Sequence, residues 1–385
     1  MFSMSNKKVT KQPLIIAIDT SCDETSVAVI QGTTILSNVV ASQVELHRPY
    51  GGVFPTVAKL AHQENVAPAL AKALKQARIT PQELDCVAVT IGPGLAPALE
   101  VGIRAAQDFA SQYQLSLIPA NHLEGHIVSV LAKPNRSSIT PANESKLFLP
   151  VLAIIVSGGN TLFIKVEKTT NHRSNTSIKT SSPPTKLERQ PHLQLDTPAD
   201  KTLWQPTFHY SILGRTLDDA AGECLDKVGR MLNLGYPAGP IIEQFAKLGN
   251  PNRYPFPLPL TQTKTFDMSF SGIKTHSRNL LTQLGGIEQL SKQDIFDFSA
   301  SLQQAVFRHI TYKMEKLLQT NLEETPYQEV WLSGGVAANM ALRKALRRSL
   351  KHISRLQTGD PLPLLTPYTK KLCGDNAAMI GLAGS

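Results

Sequence analysis

Two histidines four residues apart, His122 and His126 in the stretch Asn121-His122-Leu123-Glu124-Gly125-His126, carry the most specific chemistry in this chain. On a helix four residues amount to about 400° of rotation, so the two imidazoles fall on one face and can converge on a single ion. Glu124 sits about 200° round the helix from both, unlike the His-Glu-x-x-His arrangement in which the Glu serves as base to the same metal. A third ligand would have to come from elsewhere. Taken alone, the pair reads more simply as two surface or core-satisfied histidines.

Other chemistry-bearing stretches are turns. Thr20-Ser21-Cys22-Asp23-Glu24-Thr25 places hydroxyls, backbone N–H groups and two carboxylates at a strand end, the usual place for a ligand in an α/β fold. A polar hairpin tip is its plain alternative. Gly92-Pro93-Gly94 joins a strand to a helix, where N–H groups can face a phosphate, although a tight turn explains it as simply. Ser157-Gly158-Gly159-Asn160 and Ser333-Gly334-Gly335-Val336-Ala337-Ala338-Asn339 are two further glycine turns. Arg343, Arg347, Lys351 and Arg355 recur at i, i+4, with Lys344 and Arg348 beside them. That stripe suits nucleic acid by charge geometry, or a solvated face whose last cations complement the helix C-terminus.

The elements that must hold these turns follow from hydrophobic periodicity. Apolar runs predict strands at Leu14–Asp19, Val27–Gln31 and Thr34–Ser42, then at Cys86–Ile91 and Leu117–Ala120. Helical spacing marks Pro55–Ala77 and Pro97–Tyr113, with His47 and His62 expected on the surface. The pattern restarts at Leu149, with strands at Val151–Val156, Thr161–Val166 and Phe208–Leu213. The repeated order of strand, polar turn, strand, strand predicts a duplicated α/β lobe, the two copies facing one another across a cleft. We place the first lobe at 14–132, the second at 149–372, and a terminal helix at 374–384 near the cleft. Lys168 to Pro206, rich in Ser, Thr, Asn, Lys and Pro, is expected to be a disordered or loosely tied insertion. Thr216 is expected to cap an amphipathic helix on which Asp219 and Asp226 share the face opposite the packing side. Long helical spacing at Asp294–Leu318, a buried strand at Val330–Leu332, a last strand at Leu362–Leu365 and a helix at Asn376–Leu382 complete the chain.

At 385 residues and 42% hydrophobic content the chain can build two or three cores. Its apolar runs, such as Val151–Val156, fall far short of the roughly 18 residues a membrane helix requires. Met1 to Pro13 is short, polar and lysine-bearing, so a cytoplasmic protein is expected. Four cysteines without Cys-x-x-Cys or framework spacing suit a reducing compartment. The net charge of +9 is compatible with a polyanionic partner.

Together the motifs resemble the tRNA N6-adenosine threonylcarbamoyltransferase family (TsaD, formerly the O-sialoglycoprotein endopeptidase family). Thr20 to Thr25, Gly92 to Gly94, Asn121 to His126, Ser157 to Gly159, Asp218 to Lys227, Tyr236 to Pro240, Ser269 to Thr275, Ser333 to Asn339 and Asp375 to Ala378 match in order. The resemblance runs from about Leu14 to Leu382 and is interrupted by Lys168 to Pro206. It implies an actin-like, Hsp70-like, sugar-kinase-like fold. It also implies that His122, His126 and Asp375 bind a divalent metal, Fe(II) before Zn(II), and that Val156, Ser157, Gly158, Gly159, Asn160, Asp226, Gly239 and Asn339 hold an adenylate. Asp23 and Glu24 match the family's acidic pair. Asp19 stands where Glu is usual, Thr56 where Glu is usual, Asn160 where His is usual in bacteria, and Gly374 where Thr is usual.

The implied reaction moves a threonylcarbamoyl group from threonylcarbamoyl-adenylate to the N6 amine of the adenosine 3′ of the anticodon of tRNA, releasing AMP. The implied partners are an inactive paralogue of the same fold and a small P-loop ATPase, with a homodimer as the other arrangement and no membrane. An ATP-dependent kinase or ATPase of the same fold is the alternative function, and it leaves the His pair and Asp375 without a role. A metalloprotease lacks a Glu placed to activate a metal-bound water. A non-catalytic scaffold is opposed because the family's inactive paralogue lacks the His pair.

Overall fold

The computed structural model describes residues 12–135, 147–169, 208–320, 326–356 and 360–385. The chain divides into two compact units, one of Met1–Leu46, Val53–Ile139 and Asp375–Ser385, the other of His47–Gly52 and Thr140–Gly374.

In the first unit, β1 (Leu14–Asp19) is buried along its whole length, as expected of a central strand rich in Ile. It runs antiparallel to β2 (Glu24–Gln31), which pairs antiparallel with β3 (Thr34–Ser42). After the short α1 (Val44–His47) comes α2 (Pro55–Ala77), a single helix with Pro68 inside it. Then follow β4 (Cys86–Gly92), α3 (Ala96–Tyr113), β5 (Ser116–Asn121), α4 (His122–Val128) and the two-residue β6 (Lys133–Pro134). The sheet order is β5-β4-β1-β2-β3-β6, with β4 parallel to β1 and β5 parallel to β4.

The second unit repeats this plan. Strands β7 (Val151–Val156), β8 (Thr161–Lys168) and β9 (Phe208–Arg215) form an antiparallel meander. Helices α5 (Ala221–Met231), α6 (Gly239–Ala246), α7 (Ser271–Gln283) and α8 (Lys292–Thr320) come next, then β10 (Glu329–Ser333), α9 (Met340–Leu356) and the brief β11 (Leu364–Leu365). The sheet order β11-β10-β7-β8-β9, with β10 parallel to β7, matches β5-β4-β1-β2-β3 strand for strand. Phe163, Phe270, Phe298, Leu302 and Leu332 lie in its core. Each such side chain contributes roughly 1.5–3 kcal/mol on burial. The last helix, α10 (Ala377–Ala383), belongs to the first unit, where it packs on β1, β2 and α4.

Several expectations are corrected. His47 and His62 are both fully buried rather than on the surface. His62 lies among Ala58, Ala61 and Val66 on the side of α2 that faces its sheet. Thr216 caps no helix: α5 starts at Ala221, with Ala220 as N-cap and the Glu223 carboxylate accepting from the Ala220 N–H at 3.3 Å. Asp219 therefore precedes the helix and shares no helical face with Asp226. Arg343 is buried instead of joining the exposed stripe: its guanidinium donates to the Ala337 carbonyl at 2.7 Å and to Cys373 Sγ at 3.2 Å. Nearly all of Lys168 to Pro206 lies outside the described residues. No helix among the described residues is long and apolar enough to cross a membrane.

Candidate metal centre and ligand turns

Strand β5 runs directly into α4, whose first turn is fixed by Asn121: its side-chain oxygen accepts from the N–H groups of Leu123 at 2.9 Å and Glu124 at 3.3 Å. This cap sets the helical phase of His122 and His126, both buried, with ring centroids 4.7 Å apart and planes at 84°. Gly125 between them permits α10 to come close. A Cβ there would stand 3.0 Å from Ile380 Cδ1 and 3.1 Å from Met379 Cγ. That approach brings Asp375, two residues before α10, to the histidines: its Oδ1 lies 3.5 Å from His122 Nε2 and 3.2 Å from His126 Nε2.

One ligand atom from each of His122, His126 and Asp375 falls within 4.8 Å of the others. His126 Nε2 is buried and makes no hydrogen bond, although it points at the same carboxylate oxygen as His122 Nε2. Two imidazole nitrogens and a carboxylate aimed at one point, one of them with its hydrogen-bonding capacity unspent, fit a divalent cation with open positions. Behind His122, Asp19 Oδ2 lies 3.8 Å from Nδ1, beyond hydrogen-bond distance, and both atoms are buried without a hydrogen-bond partner.

The electrostatics of this unit are strongly coupled. Burial alone would lower the His122 pKa, but Asp375 and Asp19 outweigh it and push the imidazole up to about 10. Burial raises the Asp375 carboxyl, yet His122 and His126 hold it well below the usual carboxylate range. The acidic turn lies in the same field. Burial, Asp23 and Asp375 push Glu24 up to about 10. Burial, Asp23 and Asp375 likewise raise the Cys22 thiol. Asp23 is nearly buried, and Glu24 opens β2 instead of ending the turn. The turn leans on the Gly92-Pro93-Gly94 segment, with the Leu95 N–H donating to the Ser21 carbonyl at 2.8 Å.

In the second unit, Val156 ends β7 and the turn closes tightly: Ser157 N–H donates to the Asn160 carbonyl at 2.8 Å, and Asn160 N–H to Ser157 Oγ at 3.0 Å. Gly334, at φ +91°, is required here, since a Cβ would strike the Val156 carbonyl oxygen at 2.4 Å. The second glycine turn thus lies against the first at the ends of neighbouring parallel strands. By contrast, a Cβ on Gly158, Gly159 or Gly239 would meet nothing within 4 Å, so open space rather than the chain itself lies over them. Asp226 Oδ1 accepts from the N–H groups of Ala238 at 2.8 Å and Gly239 at 3.1 Å, which brings Asp226 and Gly239 together. Asn339 is committed internally, donating to Gln303 Oε1 at 2.7 Å and accepting from Ala341 N–H at 2.8 Å.

Two neighbouring aspartates organise the rest. Asp218 accepts from Ser269 Oγ at 2.5 Å and from the N–H groups of Phe270 at 2.8 Å and Ser271 at 3.1 Å. Burial tends to raise its carboxyl, but the Ser269 and Ser271 hydroxyls and these amides bring it down. Asp219 pairs with Lys227 and Lys274, both at 2.6 Å. Neither of these anchoring roles was legible from residue type and spacing, nor was the nearness of Asp19 to His122, and the burial of His62 runs against its polar type. For His62 a signal existed, because Ala58, Ala61 and Val66 at i−4, i−1 and i+4 mark it as inward-facing.

The family model for tRNA N6-adenosine threonylcarbamoyltransferase (TsaD) matches residues 34–202 and 201–382. A tRNA N6-adenosine threonylcarbamoyltransferase of Enterococcus faecalis is 38% identical over 379 residues, spanning 97% of this chain and 90% of its own. One of Pediococcus pentosaceus is 39% identical over 374 residues, spanning 96% and 90%. Among solved structures, HypF of T. kodakarensis aligns with a TM-score of 0.52 at 16% identity, over 97% of this chain and 48% of that one. That likeness, with the duplicated strand order, identifies the actin-like, sugar-kinase-like fold. By the extent of these matches, the chain belongs to the tRNA N6-adenosine threonylcarbamoyltransferase family.

Proposed function

We propose that this chain transfers the threonylcarbamoyl group of threonylcarbamoyl-adenylate to the N6 amine of the adenosine 3′ of the anticodon, in tRNAs that read codons starting with A. The products are N6-threonylcarbamoyladenosine and AMP. The observation that carries the reading is the convergence of His122 Nε2, His126 Nε2 and Asp375 Oδ1 in a chain of this family.

The three residues would hold one divalent cation, Fe(II) in preference to Zn(II). When bound, it supplies Lewis acidity and a fixed point for the threonylcarbamoyl oxygens. Asp19 stands behind His122, and Asn121 keeps the helix in phase. The attacking amine must lose a proton as its bond to the carbamoyl carbon forms and the bond to the phosphate oxygen breaks. We assign that proton to the acidic pair of Asp23 and Glu24: Glu24, pushed up to about 10, holds its own proton at neutral pH, which leaves Asp23 to accept. In the second unit, Val156, Ser157, Gly158, Gly159 and Asn160 line the adenylate subsite; the turn's own hydrogen bonds use the Ser157 and Asn160 N–H groups, and the open ground over Gly158 and Gly159 lets the phosphate approach the backbone. Asp226, Gly239 and Asn339 complete that subsite, Asp226 by presenting the Gly239 backbone. The protein partners we assign are an inactive paralogue of the same fold and a small P-loop ATPase, in the cytoplasm, rather than a homodimer.

The test is mass-spectrometric nucleoside analysis of tRNA from cells depleted of this protein and complemented with the wild type or with His122→Ala. The modified adenosine should vanish on depletion and return with the wild type alone. Its persistence in depleted cells would sink the reading.

A further inference from the structure

Helix α9 contains no Asp or Glu, and its apolar side is anchored by Leu342, Leu346, Leu350 and Ile353, all buried. That anchorage fixes the roll of the helix and leaves Lys344, Arg347, Arg348, Lys351 and Arg355 exposed. At about 100° per residue the five fall within about 100° of arc, and they run along roughly 16 Å of axis. Among the described residues, no acidic side chain pairs with any of them. Arg343, the first member of the i, i+4 row, is turned inward, so the exposed stripe is the remainder of that row together with Lys344 and Arg348.

Favourable interaction with the helix dipole accounts for Arg355 at the C-terminal end. It does not account for Lys344, Arg347 and Arg348, because that effect fades beyond the last turn and reverses in sign towards the N-terminus. Like charges three and four residues apart also repel one another on a helix. A rigid, self-repelling row of five cations, none of them in an ion pair among the described residues, is complementary to a polyanion with regularly spaced charges. Three of the five are arginines, whose planar guanidinium can grip a phosphate in bidentate fashion.

We propose that the exposed side of α9 is a docking surface for the sugar–phosphate backbone of the tRNA. The proposal rests on the reading of tRNA as substrate and deepens it by naming where the backbone binds. Such contacts position the RNA without reading its sequence, so the surface should serve all tRNA substrates alike.

The test combines Arg347→Gln, Arg348→Gln, Lys351→Gln and Arg355→Gln in the full-length chain, Gln being a good helix former. Affinity for a substrate tRNA is then measured at several salt concentrations, together with the melting temperature. The melting temperature should hold, affinity at low salt should fall roughly 10–100-fold, and the slope of log affinity against log salt should lose about 3, near 0.7–0.9 per phosphate. A variant carrying Arg347→Lys and Arg348→Lys should keep most of the slope. Unchanged affinity and slope in the fourfold variant overturn the proposal, as does a wild-type chain whose tRNA binding ignores salt. If tRNA binding is intact while association with a protein partner is lost, the stripe belongs to an acidic protein surface and the proposal falls. Cellular levels of the modified adenosine, followed in parallel, separate the two failures: their return with the wild type upholds the function even if the stripe proves passive.

Discussion

His62 Nε2 lies 3.1 Å from the Cys22 carbonyl oxygen, while its Nδ1 lies 2.8 Å from Thr25 Oγ1. A carbonyl oxygen only accepts, so Nε2 donates, and Nδ1 is left to serve Thr25 and the Gln43 side chain at 3.1 Å. One buried imidazole on α2 therefore straps both flanks of the turn that carries Asp23. Replacing His62 with Ala should cost about 2–4 kcal/mol, from a cavity and polar groups left without partners. Gln, which can donate and accept, should recover part of it. Denaturant unfolding measures this, and a cost below about 0.5 kcal/mol for Ala would show that the strap carries no weight.

Metal retention should depend on each converging residue and, more weakly, on Asp19. His122→Ala, His126→Ala and Asp375→Ala should each leave a folded chain that retains no stoichiometric metal by elemental analysis. Asp19→Asn, altering only what stands 3.8 Å behind His122 Nδ1, should weaken metal affinity about 10–100-fold. Saturating metal at 100 times its dissociation constant should stabilise the wild type by about 2.7 kcal/mol and a variant combining His122→Ala, His126→Ala and Asp375→Ala not at all. Full occupancy in both single His variants would refute the assignment.

A pH effect is expected from His309 in the second unit. It is fully buried, and its Nε2 accepts the Ser269 N–H at 3.1 Å. Burial and the Lys313 ammonium lower its pKa to about 4. Between that value and the ordinary 6.5 the unfolded chain binds a proton that the folded chain refuses, so folding stability falls as pH falls through this window. The loss should reach up to about 3 kcal/mol near pH 4 and be absent at pH 7. His309→Gln, which can still accept from Ser269, should flatten the profile. Identical pH profiles for wild type and variant would remove His309 as the cause.

Much of this was legible in the sequence, and the misses at Asp19 and Arg343 share a cause. Period-two and period-3.6 patterns gave the strands and helices, because burial acts on each residue of an element in turn. The His pair could be read because four residues on a helix fix a direction. Asp19 could not, since its role depends on a strand and a helix that meet only through the fold. Arg343 and Arg347 have the same chemistry and spacing. Only the Ala337 carbonyl and Cys373, brought up from other parts of the second unit, turn one inward. His62 was misjudged from its polar type although its neighbours marked the buried face.

The last expectation concerns Gly125, which links the packing of the first unit to the cluster of His122, His126 and Asp375. A Cβ at this position would sit 3.0 Å from Ile380 Cδ1, 3.1 Å from Met379 Cγ and 3.3 Å from the Met379 backbone carbon. Alanine gains roughly 1 kcal/mol of helix propensity against that crowding, so Gly125→Ala should be close to neutral in stability. Valine adds two methyls and loses rotamer freedom in the helix, and Gly125→Val should cost about 1–3 kcal/mol by overpacking. The more informative readout is metal affinity. Asp375 leads into α10, so pushing α10 away from α4 by a few tenths of an ångström should move the carboxylate off the histidines and weaken binding. Adding Met379→Ala to Gly125→Val opens space on the α10 side and should restore part of the affinity. If Gly125→Val lowers stability but leaves metal affinity unchanged, the close approach of the two helices serves packing alone, and the carboxylate is positioned by something other than this contact.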